Sequence, residues 1–288
     1  MNKALVSLVI LTFNEEANIR WCLESTQELS DEIFIVDSFS TDRTLDIAAE
    51  YPVRIYQNPW TTYAGQRQWA LANLPFSYEW LLFLDADERL TPMIIQEVSR
   101  VLGEQQKNPT KCGYYVPRDF YFLGKHLRWG YCRNGLPELR LSHRHHLRIG
   151  KRAGHEIYMV EGPIGQLKER LIHEDHKPLS AWIDRHNHYA VANADYIVRL
   201  RQGKADPIEG LNRESSDYYL YVKELFRRKV WNRLPIGFRP TIRFVLSYFF
   251  CLGFLDGLSG FLYIFLHEYW FQWLIDASYL ELRRKLNK

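Results

Sequence analysis

Two aspartates spaced i, i+2, Asp85 and Asp87, followed directly by Glu88, stand at the end of the apolar run Leu81 to Leu84. Carboxylates set this closely at the mouth of a sheet repel each other, and they are costly to desolvate unless a divalent cation or a cationic ligand compensates them. Hard oxygen donors of this kind suit Mg²⁺ or Mn²⁺ shared with a substrate diphosphate. The plainer reading is that Asp87 and Glu88 cap the helix whose start Pro92 marks. Polar residues also crowd the ends of two earlier apolar runs: Thr12, Asn14, Glu15 and Glu16 after the first, then Asp37, Ser38, Ser40 and Asp42 after the second. For Asp42 and Thr44, helix capping accounts for the residue types. Histidines are dense from His143 to His188, but His173-Glu-Asp-His176 matches no strong zinc spacing and no cysteine joins it.

These groups need elements that bring them to one place. Over the first hundred residues short β-rich runs alternate with longer helical patterns, the signature of βαβ units and a parallel sheet. Expected strands are Leu5 to Leu11, Glu32 to Val36, Val53 to Tyr56 and Trp80 to Leu84. Helices are expected at Glu16 to Ser25, Thr44 to Glu50 and Tyr63 to Leu74, with a fourth after Pro92. Ligands of such sheets bind beyond the carboxyl ends of the strands, where the polar residues above fall. From about Lys111 to His176 the pattern changes to short runs broken by Gly, Pro and Arg, read as strands and loops that wall a second substrate. A helix from Ser180 to Gln202 follows, with Ser180 as its expected N-cap and Trp182, Ile183, Tyr189, Ala190, Ala194, Ile197 and Val198 near one stripe.

Composition narrows the classes. With 288 residues, 47% apolar and 25% charged, the chain is long enough for a large core and is neither a disordered tail nor a disulfide-stapled miniature. A formal charge of +3 does not support nucleic-acid binding as the main activity. Cys22, Cys112, Cys132 and Cys251 form no CxxC pair, which points to a reducing compartment. Lys3 before the apolar run Ala4 to Phe13 imitates a secretion signal. The run ends in Asn14-Glu15-Glu16 without a small-residue cleavage site and is β-branched, so it reads as a buried strand.

In order and spacing, Val9-Ile-Leu-Thr12-Phe-Asn14-Glu15-Glu16, Ile33-Phe-Ile-Val36-Asp37-Ser38-Phe39-Ser40-Thr41-Asp42-Arg43-Thr44 and Phe83-Leu-Asp85-Ala-Asp87 resemble the nucleotide-sugar half of family 2 glycosyltransferases. These are inverting enzymes of the GT-A fold. Tyr63-Ala-Gly-Gln66-Arg67-Gln-Trp69-Ala70 resembles the helix that closes their nucleotide pocket. Phe39 stands where the second motif usually has glycine, a departure that bears on the backbone of that loop. The resemblance puts the donor base and ribose near Thr12, Asn14, Glu16 and Asp37, and the metal-bound diphosphate at Asp87. Asp85 lies closer to the ribose or metal, and Arg67 has a phosphate or structural role. An inverting transfer needs a general base on the acceptor hydroxyl. Gly154-His155-Glu156-Ile-Tyr158 resembles the HE motif of the lipopolysaccharide-core β-1,4-glucosyltransferase subgroup, making Glu156 the expected base, with pairing to Arg140, Arg148 or Arg152 as the alternative. In the same subgroup a histidine follows the acceptor region, so His173 is the second expected group at the metal or diphosphate.

The last quarter differs in kind. Seven basic residues lie between Lys223 and Arg243 (Lys223, Arg227, Arg228, Lys229, Arg233, Arg239 and Arg243) against the single acid Glu224. Phe244 to Leu255 is a run of 12 uncharged residues, short of the roughly 20 that span a bilayer. Aromatic helices lying on a membrane surface, held by flanking cations, fit this text, and a packed lid or dimer interface is the other reading. The expected organisation is therefore an α/β GT-A domain over 1–210, with a nucleotide-sugar half at 1–110 and an acceptor half at 111–210. A helical membrane-associating tail follows at 211–288.

The expected activity is transfer of a hexose from a nucleotide sugar, UDP-linked by preference, to a hydroxyl of a lipid-linked or cell-envelope glycan. It would use Mn²⁺ or Mg²⁺ in the cytoplasm, at the inner face of an anionic membrane and without nucleic acid. Two alternatives come from other classes. A sugar nucleotidyltransferase would carry a Gly-rich basic loop where this chain has Thr12 to Glu16, and an inactive membrane scaffold would need neither Asp87 nor Glu156.

Overall fold

A computed structural model of the chain describes residues 3–130, 137–152, 155–204, 222, 225–226 and 229–286, the side chains of Lys151, Arg152 and His155 excepted. The chain divides into two compact units: Met1–Tyr121 with Gly135–Gly150 and Glu156–Lys177, and Phe122–Asn134 with Lys151–His155 and Pro178–Lys288.

The first unit is built on β1 (Val6–Thr12), β2 (Glu32–Asp37), β3 (Arg54–Gln57) and β4 (Trp80–Asp85), all parallel, in the order β4-β1-β2-β3. Helices α1 (Ile19–Thr26), α2 (Thr44–Ala48) and α3 (Tyr63–Asn73) connect them, and α4 (Pro92–Lys107) follows the two-residue β5 (Glu88–Arg89). β1 and β4 are apolar on both faces, as strands covered on both sides must be. Val6, Leu8 and Ile10 enter one core layer and Val9 the other, each with no exposed surface. Full burial of such a side chain stabilises by about 1.5–3 kcal/mol.

Beyond β4 the sheet continues with β6 (Gly113–Val116), β9 (Glu138–His143) and β12 (Ile164–Gln166), in the order β12-β6-β9-β4. β9 runs antiparallel to β4, with Leu141 opposite Leu82. That register lays Glu138 and Arg140, at the start of β9, beside the carboxyl end of β4. β7 (Arg118–Phe122) pairs with β13 (Leu171–Glu174), and β13 pairs antiparallel with β5, so that His173 lies opposite Glu88. β10 (Leu147–Arg152) and β11 (His155–Val160) form a two-stranded sheet, and β8 (Lys125–Leu127) belongs to the second unit. Two helix starts are set by threonine. Thr62 Oγ1 accepts from the Gly65 N–H at 3.0 Å and Thr91 Oγ1 from the Ile94 N–H at 3.3 Å, the latter with Pro92 in the first turn.

In the second unit α5 (Leu179–Arg201) packs Ala190, Ala194, Ile197 and Val198 against Phe271, Ile275 and Tyr279 of a C-terminal helix. Pro178, not Ser180, occupies the N-cap of α5, and no side chain caps it. Proline's fixed φ lets the chain enter the helix two residues earlier than a serine cap implies. The remaining helices are α6 (Phe238–Val245), running on as a π-helical turn to Phe250, α7 (Gly257–Tyr263), and α8 (Phe271–Leu286), joined to α7 by π-helical Ile264–Trp270. Among the described residues no single helix is long and apolar enough to cross a bilayer. One pair bent by 72°, Phe238–Phe250 and Gly253–Leu286, has the length and composition only when taken together. The basic cluster ahead of it is not all outward. Arg239 and Arg243 are turned inward onto Asp276 and Glu268, Lys229 and Arg233 are exposed, and Lys223, Arg227 and Arg228 lie outside the described residues.

Candidate active site

The loops after β1 and β2 are laced to each other. Thr12 Oγ1 donates to Asp37 Oδ1 (2.8 Å), the Asn14 N–H to Ser40 Oγ (2.9 Å), the Glu15 N–H to Thr44 Oγ1 (2.7 Å) and the Glu16 N–H to Asp42 Oδ2 (3.1 Å). In return the Thr41 N–H donates to Asn14 Oδ1 (2.8 Å) and the Arg43 N–H to Glu16 Oε2 (3.1 Å). Asp37 is wholly buried and also accepts from the Ser40 N–H (2.8 Å), so its oxygens are committed to the loop. Asn14 and Glu16 stay at the surface. Asn14 and Phe39 both have left-handed backbones, φ 52° and 62°. Phe39 thus keeps the conformation that glycine takes without strain, at a cost of about 1–3 kcal/mol, and its ring is half exposed.

The acidic centre lies at the end of β4. Asp85 Oδ1 is held by the Arg67 guanidinium at 2.6 Å and Oδ2 by Arg140 at 2.6 Å. Burial pushes the Asp85 carboxyl upward, but Arg140 and Arg67 outweigh it and hold it well below the usual carboxylate range. Arg140, almost fully buried, also meets Glu88 (2.8 Å) and Glu138 (3.1 Å), while Arg118 reaches Glu138 (2.8 Å). Glu88, with no exposed surface, is pushed up to about 7 by burial in spite of Arg140, with Asp85 adding to the rise. Asp87 faces a different partner, His173 Nε2 at 3.4 Å. Burial alone would lower the His173 pKa, but Asp87 overrides it and raises it. Glu15, bridged to Lys177 Nζ at 2.6 Å, is raised to about 7 by burial, which exceeds the pull of Lys177.

Arg67 ties this centre to β11. Its Nε donates to the Tyr158 hydroxyl and its NH1 lies 3.5 Å from Glu156 Oε1. Glu156 and Tyr158 are two residues apart on one strand and therefore share a face. Of the partners expected for Glu156, Arg140 is taken by three other carboxylates and Arg148 by Glu161 (2.8 Å). The Arg152 side chain lies outside the described residues. The distant Arg67 fills that role because α3 packs across the sheet, which spacing along the chain does not reveal.

The sequence profile of glycosyl transferase family 2 matches residues 7–160, more than half of the chain. The chain belongs to that family. A lipopolysaccharide core biosynthesis glycosyltransferase, LpsC, of Rhizobium meliloti (strain 1021) is 31% identical over 274 residues, 92% of this chain and 90% of that one. An uncharacterized glycosyltransferase of Rickettsia bellii is 33% identical over 103 residues, and there the match spans only about a third of each chain, 36% and 34%. Among solved structures, the mannosyltransferase PcManGT from Pyrobaculum calidifontis, in complex with GDP-Man and Mn²⁺, superposes with a TM-score of 0.50 at 13% identity, covering 99% of this chain and 87% of that one. The fold of this family 2 glycosyltransferase is GT-A, and the nucleotidyltransferase alternative falls.

Whether a divalent metal fits this glycosyltransferase is a question of donors. Both Asp85 oxygens are engaged by guanidinium groups, which leaves Asp87 and the imidazole of His173, paired with each other, as the donors that no arginine holds. A carboxylate with an imidazole suits Mn²⁺. Among the described residues no group of three or more His, Cys, Asp or Glu side chains is placed to hold a metal by itself. The donor set therefore fits an ion completed by substrate phosphates. Sequence reasoning passed over Arg140, Arg118, Glu138 and Lys177 as site residues. A signal existed: in Glu138-Leu-Arg140-Leu the charged residues alternate with apolar ones, so both fall on one strand face, but only the β4–β9 register aims that face at Asp85.

Proposed function

We propose that this glycosyltransferase moves a hexose from a UDP-sugar to a hydroxyl of a lipid-linked or envelope glycan of the lipopolysaccharide-core kind, with inversion, working as a peripheral protein at the cytoplasmic face of the membrane. The observation that carries the reading is one buried arginine shared by acids of two strands. Arg67 holds Asp85 at 2.6 Å and lies 3.5 Å from Glu156, while Asp87, two residues beyond Asp85, pairs with His173 instead. The near full-length likeness to LpsC supports the acceptor class.

In this reading the laced loops hold the nucleoside, with Asn14 and Glu16 at their rim and Thr12 and Asp37 fixing their shape. Asp87 and His173 would hold Mn²⁺ or Mg²⁺, whose charge neutralises the departing diphosphate. Arg67 and Arg140 position Asp85, which faces the ribose and metal edge of the donor. Glu156, 3.5 Å from Arg67, takes the proton of the acceptor hydroxyl as the hydroxyl oxygen bonds to the anomeric carbon. The bond from that carbon to the diphosphate oxygen breaks, and UDP leaves with the electron pair. The test is donor turnover. Purified protein given UDP-glucose, UDP-galactose, UDP-N-acetylglucosamine and GDP-mannose should bind or hydrolyse a UDP-sugar only with Mn²⁺ or Mg²⁺. Preference for GDP-mannose, or no metal dependence, would overturn the donor assignment.

A further inference from the structure

One stretch of the second unit spends its acids internally. From Lys229 to Leu280 the sequence holds three, Asp256, Glu268 and Asp276, and all are buried. Asp256 accepts from the backbone N–H groups of Arg128 (3.0 Å) and Trp129 (2.9 Å). Glu268 is paired with Arg243 and bonded to His267 Nδ1 (2.7 Å), and Asp276 is paired with Arg239 and accepts from the Gly237 N–H (3.0 Å). The surface of this stretch is left with the exposed cations Lys229 and Arg233 and with uncharged side chains.

The apolar ones are concentrated at the 72° bend, where Leu252 (φ 59°) and Gly257 (φ 65°) take left-handed backbones. Leu246, Phe249, Phe250, Leu252, Phe254, Leu255 and Leu258 are all exposed, Phe250 by 75% and Leu258 by 72%. A folded protein rarely leaves so contiguous an apolar face without a partner. A segment from the middle of the chain joins it. The Gly130 N–H donates to the Cys251 carbonyl (2.7 Å), Gly130 abuts Gly253, and the Lys125 ammonium lies beside Gly257. Exposed Lys125, Arg128 and Trp129 therefore border the bend.

We infer that this bend is a wedge that enters one leaflet of an anionic bilayer, with Trp129, Lys125 and Arg128 at headgroup level. The inference rests on the peripheral-membrane reading above and identifies the surface that performs it. Apolar side chains flanked by cations and an amphipathic indole, with no exposed acid in the stretch, match an anionic interface. A second copy fits worse, because a two-fold contact sets this cationic rim against itself.

The test is co-sedimentation of the full-length protein with phosphatidylcholine vesicles, with and without phosphatidylglycerol. Wild type should bind the phosphatidylglycerol vesicles and be released by alkaline carbonate. Phe250→Ser with Leu258→Ser should weaken binding by at least about tenfold, and Lys125→Gln with Arg128→Gln by about tenfold at low salt. UDP-sugar hydrolysis and thermal unfolding should not change, since these side chains are exposed. If both double variants bind as wild type does, the wedge is wrong while the peripheral reading stands. If wild type turns over donor but binds neither vesicle, both are wrong. Retention after carbonate, or a wild-type dimer that Phe250→Ser with Leu258→Ser dissociates, would also overturn the wedge. Vesicle binding without any donor turnover would sink the proposed reaction and leave the wedge standing.

Discussion

The two units handle buried charge in opposite ways. At the end of β4, Asp85, Asp87, Glu88, Glu138 and Glu156 crowd around Arg67, Arg118, Arg140 and His173, and the guanidinium groups are shared, Arg140 among three carboxylates. In the second unit Glu268 and Asp276 each have an arginine of their own, and Asp256 has two backbone N–H groups. Sharing fails to offset burial at Glu88, whose carboxyl is lifted to about 7, whereas at Glu268 the burial penalty is overcome by Arg243 and His267 and the carboxyl is held down to about 2. A site that must receive a cation or a cationic transition state keeps its carboxylates undercompensated. A fold that must clear acids from a surface compensates each one fully.

The contrast breaks most sharply at Asp87. If its charge is reserved for a metal, Asp87→Ala should reduce transfer by at least about 10³-fold, and excess chelator should do the same to wild type. Full activity in chelator would end the metal reading. Glu156→Gln should lower turnover by about 10² to 10⁴ while donor affinity, read by titration calorimetry, stays within a few-fold. Lost affinity with preserved turnover would remove Glu156 from the base role.

Stability sharpens the comparison next. Arg140→Met takes a partner from three carboxylates, leaving Glu88 with Arg118 at 3.9 Å, and should cost about 3–5 kcal/mol in urea unfolding, and no single carboxylate-to-amide change should restore it. In the second unit Arg239→Met should cost a similar amount, but there Arg239→Met with Asp276→Leu should recover most of it, because a private pair can be replaced as a unit. Equal rescue in both units would erase the distinction. The smallest effect concerns pH. The folded pKa of Glu268 lies below the ordinary value of 4.5, so its stabilisation is complete above about 4.5 and is lost as pH falls toward 2, up to about 3 kcal/mol. Glu15 has the opposite sign, its raised pKa making stability decline as pH climbs from 4.5 to 7. Glu268→Gln should flatten the acid limb of a stability–pH curve and leave the neutral one unchanged.

Much of this was legible in one dimension. Runs such as Val6 to Thr12 and Trp80 to Asp85 must pair as buried parallel strands because nothing in them tolerates water, and polar residues that follow such strands must gather at the sheet's carboxyl edge. Thr12, Asn14, Glu16, Asp37, Asp85 and Asp87 could therefore be placed at one edge from sequence, and Tyr63 and Pro92 marked two helix starts, although Thr91 rather than Asp87 or Glu88 caps the second.

Tertiary structure alone decided which charges meet. Asp37 turned out to be spent on its own loop, Arg67 to lie between Asp85 and Glu156, and Arg140 to arrive from a strand 55 residues away. It also turned Arg239 and Arg243 inward, where composition had counted them as surface cations, and brought Trp129 to the helical bend. Hydrophobic periodicity is written locally in the chain, whereas the partner of a buried charge is chosen by sheet register and helix packing. Those are global properties, and a desolvated charge takes whichever opposite charge they bring within reach.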